Sequence, residues 1–209
     1  MLKLNPRGQV PVFTDGDAVV SDSMAIMQYL EATYPSVPLL PNGKADLALA
    51  CQRLHETSCL YNTVQPPFYA KMAGKVNTDE EKVMHPRLHP SHGRRPRGQQ
   101  GFAAVPSLPS CMQERFQQGI EATLKEMNYF EEYHSDGRSF LIGEMFTLAD
   151  VSLAVYLFFC EHFGATLDKH PNLKKFADRI RERPCFKETW PAEWLENEGN
   201  SGMDFLGDL

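Results

Sequence analysis

Two short groups of residues carry the chemistry that this sequence can do. The first is Gln9-Val10-Pro11, inside the run Leu4-Asn5-Pro6-Arg7-Gly8-Gln9-Val10-Pro11-Val12. A proline at the head of a strand removes a ladder donor, and its placement predicts a cis Val10-Pro11 bond. That geometry turns the N–H and C=O of Val10 outward, where they can pair with an extended peptide as a strand would. The second group is Asp22-Ser23, which opens the run Asp22-Ser23-Met24-Ala25-Ile26-Met27-Gln28-Tyr29-Leu30. A helix N-terminus offers unpaired N–H groups and the positive end of a dipole, so it holds a carboxylate well. The Asp22 carboxylate beside it can hold an ammonium group. Together the two groups would grip the α-amino acid end of a peptide whose backbone lies along Val10.

The surrounding pattern supplies the elements that must position them. Gln9 to Thr14 and Ala18 to Ser21 read as two short strands in a tight hairpin around Asp15-Gly16. Asp22 or Ser23 then caps a helix running to about Thr33. Pro35, Pro38 and Pro41 form a linker. Ala45 to about Met72 is helical text, interrupted near Pro66-Pro67. Gln113 to about Tyr133 is an amphipathic helix with Phe116, Ile120, Leu124, Met127 and Phe130 on one stripe. Thr147-Leu148-Ala149-Asp150 is a capping-box pattern that opens a helix to Phe163. This run is apolar on nearly every face and is expected at the centre of the helical part. Pro171 stands in the first turn of a last helix, through about Arg183. The tail beyond Pro184 is polar apart from Trp190 and Trp194, which are expected to pack it on the helical part.

The fold class expected is therefore an α/β N-terminal part over residues 1–42 and an all-α part over 45–209. The stretch 84–112 fits neither period. It carries Pro86, Pro90, Pro96, Pro106 and Pro109, and reads as an irregular insertion, either translated intron or a lineage-specific loop. Sequencing the transcript separates the two.

Composition removes several function classes. Hydrophobic residues make up 42% and charged residues 23%, as in ordinary folded domains. A formal net charge of -6 argues against a broad nucleic-acid-binding face, so Arg94, Arg95 and Arg97 read as a solvated loop. No apolar run reaches the length of a membrane span, and no secretory signal is visible. Five widely spaced cysteines without a C-x-x-C pair argue against a disulfide framework and fit a reducing, cytoplasmic setting. His85, His89 and His92 lack a carboxylate or thiol at ligand spacing, so no metal is expected. Phe68 and Tyr69 could line a pocket, although a core role is the simpler reading.

In this order and spacing, with the downstream Thr-Leu-Ala-Asp cap, the two groups resemble the cytosolic glutathione transferase superfamily. The run Asn5 to Pro11 and the tail from Trp190 to Asn197 are most similar to its rho class. The resemblance covers the chain except 84–112. It implies the glutathione transferase fold, with an incomplete thioredoxin-like N-terminal part, and conjugation of glutathione to hydrophobic electrophiles. Glutathione would be a co-substrate, no other cofactor is implied, and a homodimer is. By the motif, Gln9 and Val10 meet the cysteinyl-glycine part of glutathione, and Asp22 and Ser23 meet its γ-glutamyl end. The family usually has Glu at the place of Asp22, a longer acid. In the family, a strand, a helix and a second strand precede this motif and carry the Ser, Tyr or Cys that hydrogen-bonds the glutathione sulfur. Here only Met1-Leu2 stand before Lys3-Leu4-Asn5, so the resemblance places the thiol-activating residue upstream and assigns no catalytic residue to these positions. That opens two alternatives: a non-catalytic, transferase-like binding module, and an isomerase or dehalogenase of the same superfamily.

Overall fold

The computed structural model describes residues 2–76 and 110–191. Strands β1 (Val12–Asp15) and β2 (Ala18–Ser21) pair antiparallel, with Val12 opposite Ser21 and Asp15 opposite Ala18. The loop between them is two residues long. Gly16 takes φ +57° as its first residue, a backbone conformation that a side chain would strain. Helix α1 (Ser23–Thr33) follows directly, capped by Asp22. The hydroxyls of Tyr29 and Tyr34 both donate to Asp15 Oδ2, which ties the hairpin turn to the far end of α1.

The helical part contains α2 (Lys44–Val76), α3 (Ser110–Tyr133), α4 (Leu148–His162), α5 (Pro171–Arg181) and the short α6 (Pro184–Thr189). On α3, Ile120, Met127 and Phe130 of the expected stripe are buried, and Phe116 and Leu124 are partly buried against the same core. Helix α4 buries nine of its residues, Leu153, Leu157 and Cys160 among them, and it occupies the centre as its composition predicts. Val155 is the exception, with 56% of its surface exposed.

Three expectations change. Helix α2 continues through Pro66-Pro67 instead of breaking there. Two prolines remove two ladder donors, but the ring of Pro67 packs against Gly119 of α3. A Cβ at Gly119 would lie 2.4 Å from Pro67 Cδ, so the helices meet there at a distance only glycine allows. Helix α3 begins at Ser110, so the irregular stretch gives way to helix before residue 112. Helix α6 is new, and its Phe186 and the Trp190 that follows it pack on Phe158, with ring centroids 4.9 and 5.1 Å away. Trp190 thus packs on the helical part as expected. Trp194, His85, His89, His92, Arg94, Arg95 and Arg97 lie outside the described residues.

The two parts are joined through the linker. Glu31 Oε1 accepts the backbone N–H groups of Leu39 and Leu40 at 2.9 and 3.1 Å. Leu39 in turn offers its carbonyl to the N–H of Leu148, at 3.0 Å. Met24, Met27, Leu39 and Leu40 pack against the helical core. Among the described residues no helix is long and apolar enough to cross a membrane.

Two histidines are buried where α3 meets α5. His134 Nδ1 lies 2.8 Å from the Phe130 carbonyl, which can only accept, so Nδ1 carries the proton and Nε2 has no partner. Burial holds His134 below its ordinary pKa, against the smaller upward pulls of the Phe130 carbonyl, Asp150 and Glu131; Arg138 adds to the lowering. Burial also lowers His170, with Glu131 opposing and Lys169 assisting. The unfolded chain therefore binds protons that the folded chain refuses. Stability is fully present above pH 6.5 and is lost as pH falls from there toward the folded values. The expected slope is up to about 1.4 kcal/mol per pH unit for each histidine. Urea midpoints at pH 7.5, 6.5 and 5.5 check this, and a midpoint that does not move would refute it. His134→Gln should flatten part of the slope.

Candidate functional site

The loop before β1 is held by one side chain. Asn5 is 4% exposed. Its Nδ2 donates to the Gln9 carbonyl at 2.8 Å, and its Oδ1 accepts the Arg7 N–H at 3.0 Å. The Gly8 N–H donates to the Asn5 carbonyl at 2.9 Å, and Gly8 takes φ +67° to allow it. The loop therefore presents Gln9 and Val10 from a fixed base. Sequence reasoning missed Asn5 as the clamp, although Asn-Pro with Gly two residues on is a turn signature that could have shown it.

Both Gln9 and Val10 are exposed, Val10 by 72%. The Val10-Pro11 bond is cis, as expected. Among the described residues, neither the N–H nor the C=O of Val10 takes part in a hydrogen bond. Both are open to a peptide laid alongside.

Asp22 and Ser23 come to the same end of the hairpin. The register places Ser21 opposite Val12, and the Asp22 N–H donates to the Pro11 carbonyl at 3.3 Å. The structure thus brings all four candidate residues together. Asp22 Oδ1 accepts the N–H groups of Met24 and Ala25 at 3.0 and 3.1 Å. Its Oδ2 accepts nothing among the described residues. Asp22 also holds φ 84° and ψ 128°, a region sparsely populated by residues with a Cβ and one that costs about 1–3 kcal/mol. Ser23 is exposed in the first turn of α1. The arrangement combines the N-terminal end of α1, a carboxylate with one oxygen to spare, and an unpaired stretch of backbone.

Other features do different work. Phe68 packs on Phe159 and Phe163, with ring centroids 5.5 and 5.3 Å away, so it belongs to the core. Tyr69 is 52% exposed beside it. Cys160 is fully buried, which pushes its thiol up to about 12 and leaves it inert at neutral pH. A cleft of about 250 Å³ between α2 and α3 is lined by Glu56, Glu126, Tyr129, Phe130 and Tyr133, with nothing from the hairpin or α1. Among the described residues, no group of three His, Cys, Asp or Glu side chains is arranged to hold a metal.

Comparison with known proteins shows the family. Residues 1–38 match the family model for the glutathione S-transferase N-terminal domain, and residues 105–184 match that for the C-terminal domain. The chain is 29% identical to glutathione S-transferase A of Pleuronectes platessa, over all of this chain and 79% of that protein. A probable maleylacetoacetate isomerase of Vibrio cholerae is 26% identical, over 90% of this chain and 74% of that protein. Among solved structures, a glutathione S-transferase from the Antarctic clam Laternula elliptica is 30% identical with a TM-score of 0.70, over 98% of this chain and 79% of that one. The chain belongs to the glutathione S-transferase family, enzymes that take glutathione as a substrate.

Proposed function

We propose that the protein joins glutathione to hydrophobic electrophiles, a detoxifying conjugation, as a cytoplasmic homodimer. The observation that carries this reading is the juxtaposition of Gln9-Val10 with Asp22-Ser23 through the bond from Asp22 N–H to Pro11. Val10 would pair its N–H and C=O with the cysteinyl unit, with Gln9 beside it on the cysteinyl-glycine part. The N-terminus of α1, with Ser23, would receive the γ-glutamyl carboxylate, and Asp22 Oδ2 its ammonium. Residues 1–42 would form the glutathione-binding domain and 45–209 the helical domain that accepts the electrophile. A thiol has a pKa near ~8.5 and reacts as the thiolate. The thiolate attacks the electrophilic carbon, a C–S bond forms, and the leaving group departs with the bonding pair. Fixing both reactants and stabilising the thiolate account for the rate.

A second reading, isomerisation, is favoured by the relatives named as maleylacetoacetate isomerases. There the thiolate would add to a double bond and leave again after rotation. Retention on immobilised glutathione, followed by turnover of an aryl halide, tests the leading reading. Turnover of a maleyl substrate without aryl conjugation selects the isomerase. Retention without any turnover selects a binding module, and failure to be retained sinks every reading that uses glutathione.

A further inference from the structure

Glu126, Tyr129, Phe130 and Tyr133 recur at helical spacing and share one face of α3. With Glu56 of α2 they line the cleft of about 250 Å³ between the two helices. Phe130 is buried in the core, and its ring meets that of Tyr133 edge-on, with centroids 5.7 Å apart. Tyr129 is 42% exposed, and its hydroxyl has no hydrogen bond among the described residues. The volume is below the roughly 300–1,000 Å³ of sites that bury drug-sized molecules, so a ligand here is small.

The charges at this cleft do not balance. Arg53 Nη1 lies 2.6 Å from Glu56 Oε2, and Gln52 Nε2 donates to Glu56 Oε1 at 2.7 Å. Both oxygens of Glu56 are engaged, and Arg53 matches its charge. Glu126 is half-buried and has neither a hydrogen bond nor an ion pair among the described residues. Burial pushes its carboxyl up from the ordinary carboxylate range; Lys125 opposes this, and the charge of Glu56 adds to it. One negative charge is left over in partly desolvated surroundings, where a cation is held more firmly than on open surface. The aromatic wall already holds one cation. The guanidinium carbon of Arg53 stands 3.3 Å from the centre of the Tyr133 ring, drawn by the negative face of the π-system.

We propose that this cleft binds a small primary ammonium ion with an apolar body. The ammonium donates to Glu126, and the body lies against Tyr129, Phe130 and Tyr133. An anion would meet the uncancelled charge of Glu126, and a neutral apolar molecule would leave that charge unmatched. The site takes no residue from the hairpin or α1, so it is separate from the glutathione reading and stands or falls without it.

The test is calorimetric titration of the full chain with phenethylammonium and with 2-phenylethanol, a neutral ligand of the same length. The wild type is expected to bind the ammonium saturably and the alcohol at least about tenfold more weakly, the scale of a hydrogen bond to a charged group. Glu126→Gln keeps the shape and removes the charge. It should weaken the ammonium about tenfold and leave the alcohol unchanged. Tyr129→Ala should weaken both ligands. No saturation by the ammonium below about 10 mM, or equal affinity of the wild type for both ligands, overturns the proposal, and neither result needs a variant to fold. So does a Glu126→Gln chain that binds the ammonium as tightly as the wild type. Displacement of phenethylammonium by glutathione would overturn the placement in this cleft. Loss of self-association in Glu126→Gln, with no ammonium bound by the wild type, would assign the cleft to a cationic side chain of a second copy instead.

Discussion

Asp150→Ala is expected to lower the unfolding free energy by about 3–5 kcal/mol, the scale for removing one partner of a buried charged network. The side chain of Asp150 has no exposed surface. Its Oδ2 accepts the Thr147 N–H and the Thr147 hydroxyl, each at 2.8 Å, and its Oδ1 accepts the Leu141 N–H at 2.8 Å. Removal leaves three donors without partners at the start of α4, the most buried helix. Burial raises the Asp150 pKa, and the bonds from Leu141 and Thr147 together with nearby His134 pull it back only in part. The carboxylate is therefore held at a cost, and what it returns is the fixed path of the loop from Leu141 to Thr147. Asp150→Asn would keep one acceptor and turn an NH₂ toward donors, so it should recover less than half of the loss. Urea unfolding of both variants beside the wild type decides: a loss below about 1 kcal/mol in Asp150→Ala would show that water replaces the carboxylate. A loss of the expected size is a large part of the 5–15 kcal/mol that holds a typical domain together.

What was legible in the sequence was mostly what the chain does to itself over a few residues. Asp22 capping α1, Gly16 in the hairpin loop and Asp150 reaching back to Thr147 are contacts within one to three positions, and residue type alone predicts them. The candidate site was legible for the same reason, since two strands of four residues bring its halves together. Contacts across long separations left no local mark. Glu131 of α3 accepts the N–H groups of Asn172 and Leu173 at 2.9–3.0 Å, capping α5 from 41 positions away, where His170 itself supplies no side-chain cap. Thr57 and Ser152 meet across 95 positions. The seat of Pro67 on Gly119 explains why α2 survives its prolines, and nothing near Pro66-Pro67 announces it. Helix α6 went unseen because six residues hold less than two turns of pattern.

Asp22→Asn is expected to weaken glutathione binding by about 10- to 100-fold while leaving the melting temperature close to that of the wild type. The separation follows from the two jobs of one side chain. Oδ1 caps α1 through Met24 and Ala25, and an Asn side-chain oxygen does this equally well. Asn also tolerates positive φ better than most residues, so the backbone at φ 84° is kept. Only the charge on the spare oxygen is lost, and a hydrogen bond to a charged group is worth about 1.5–3 kcal/mol. Asp22→Ala removes cap and charge together, so it should lose the same affinity and, in addition, about 0.5–2 kcal/mol of stability. Unchanged glutathione affinity in Asp22→Asn would end the assignment of Asp22 to the ammonium group. Asp22→Glu sets the two jobs against each other. The longer acid reaches further toward a ligand but fits the cap position poorly, so affinity should rise as stability falls. That opposition gives a physical account of the shorter acid here: with the hairpin tied to α1 through Asp22 N–H and the Pro11 carbonyl, a well-capped α1 is what keeps Gln9-Val10 and Ser23 in one site.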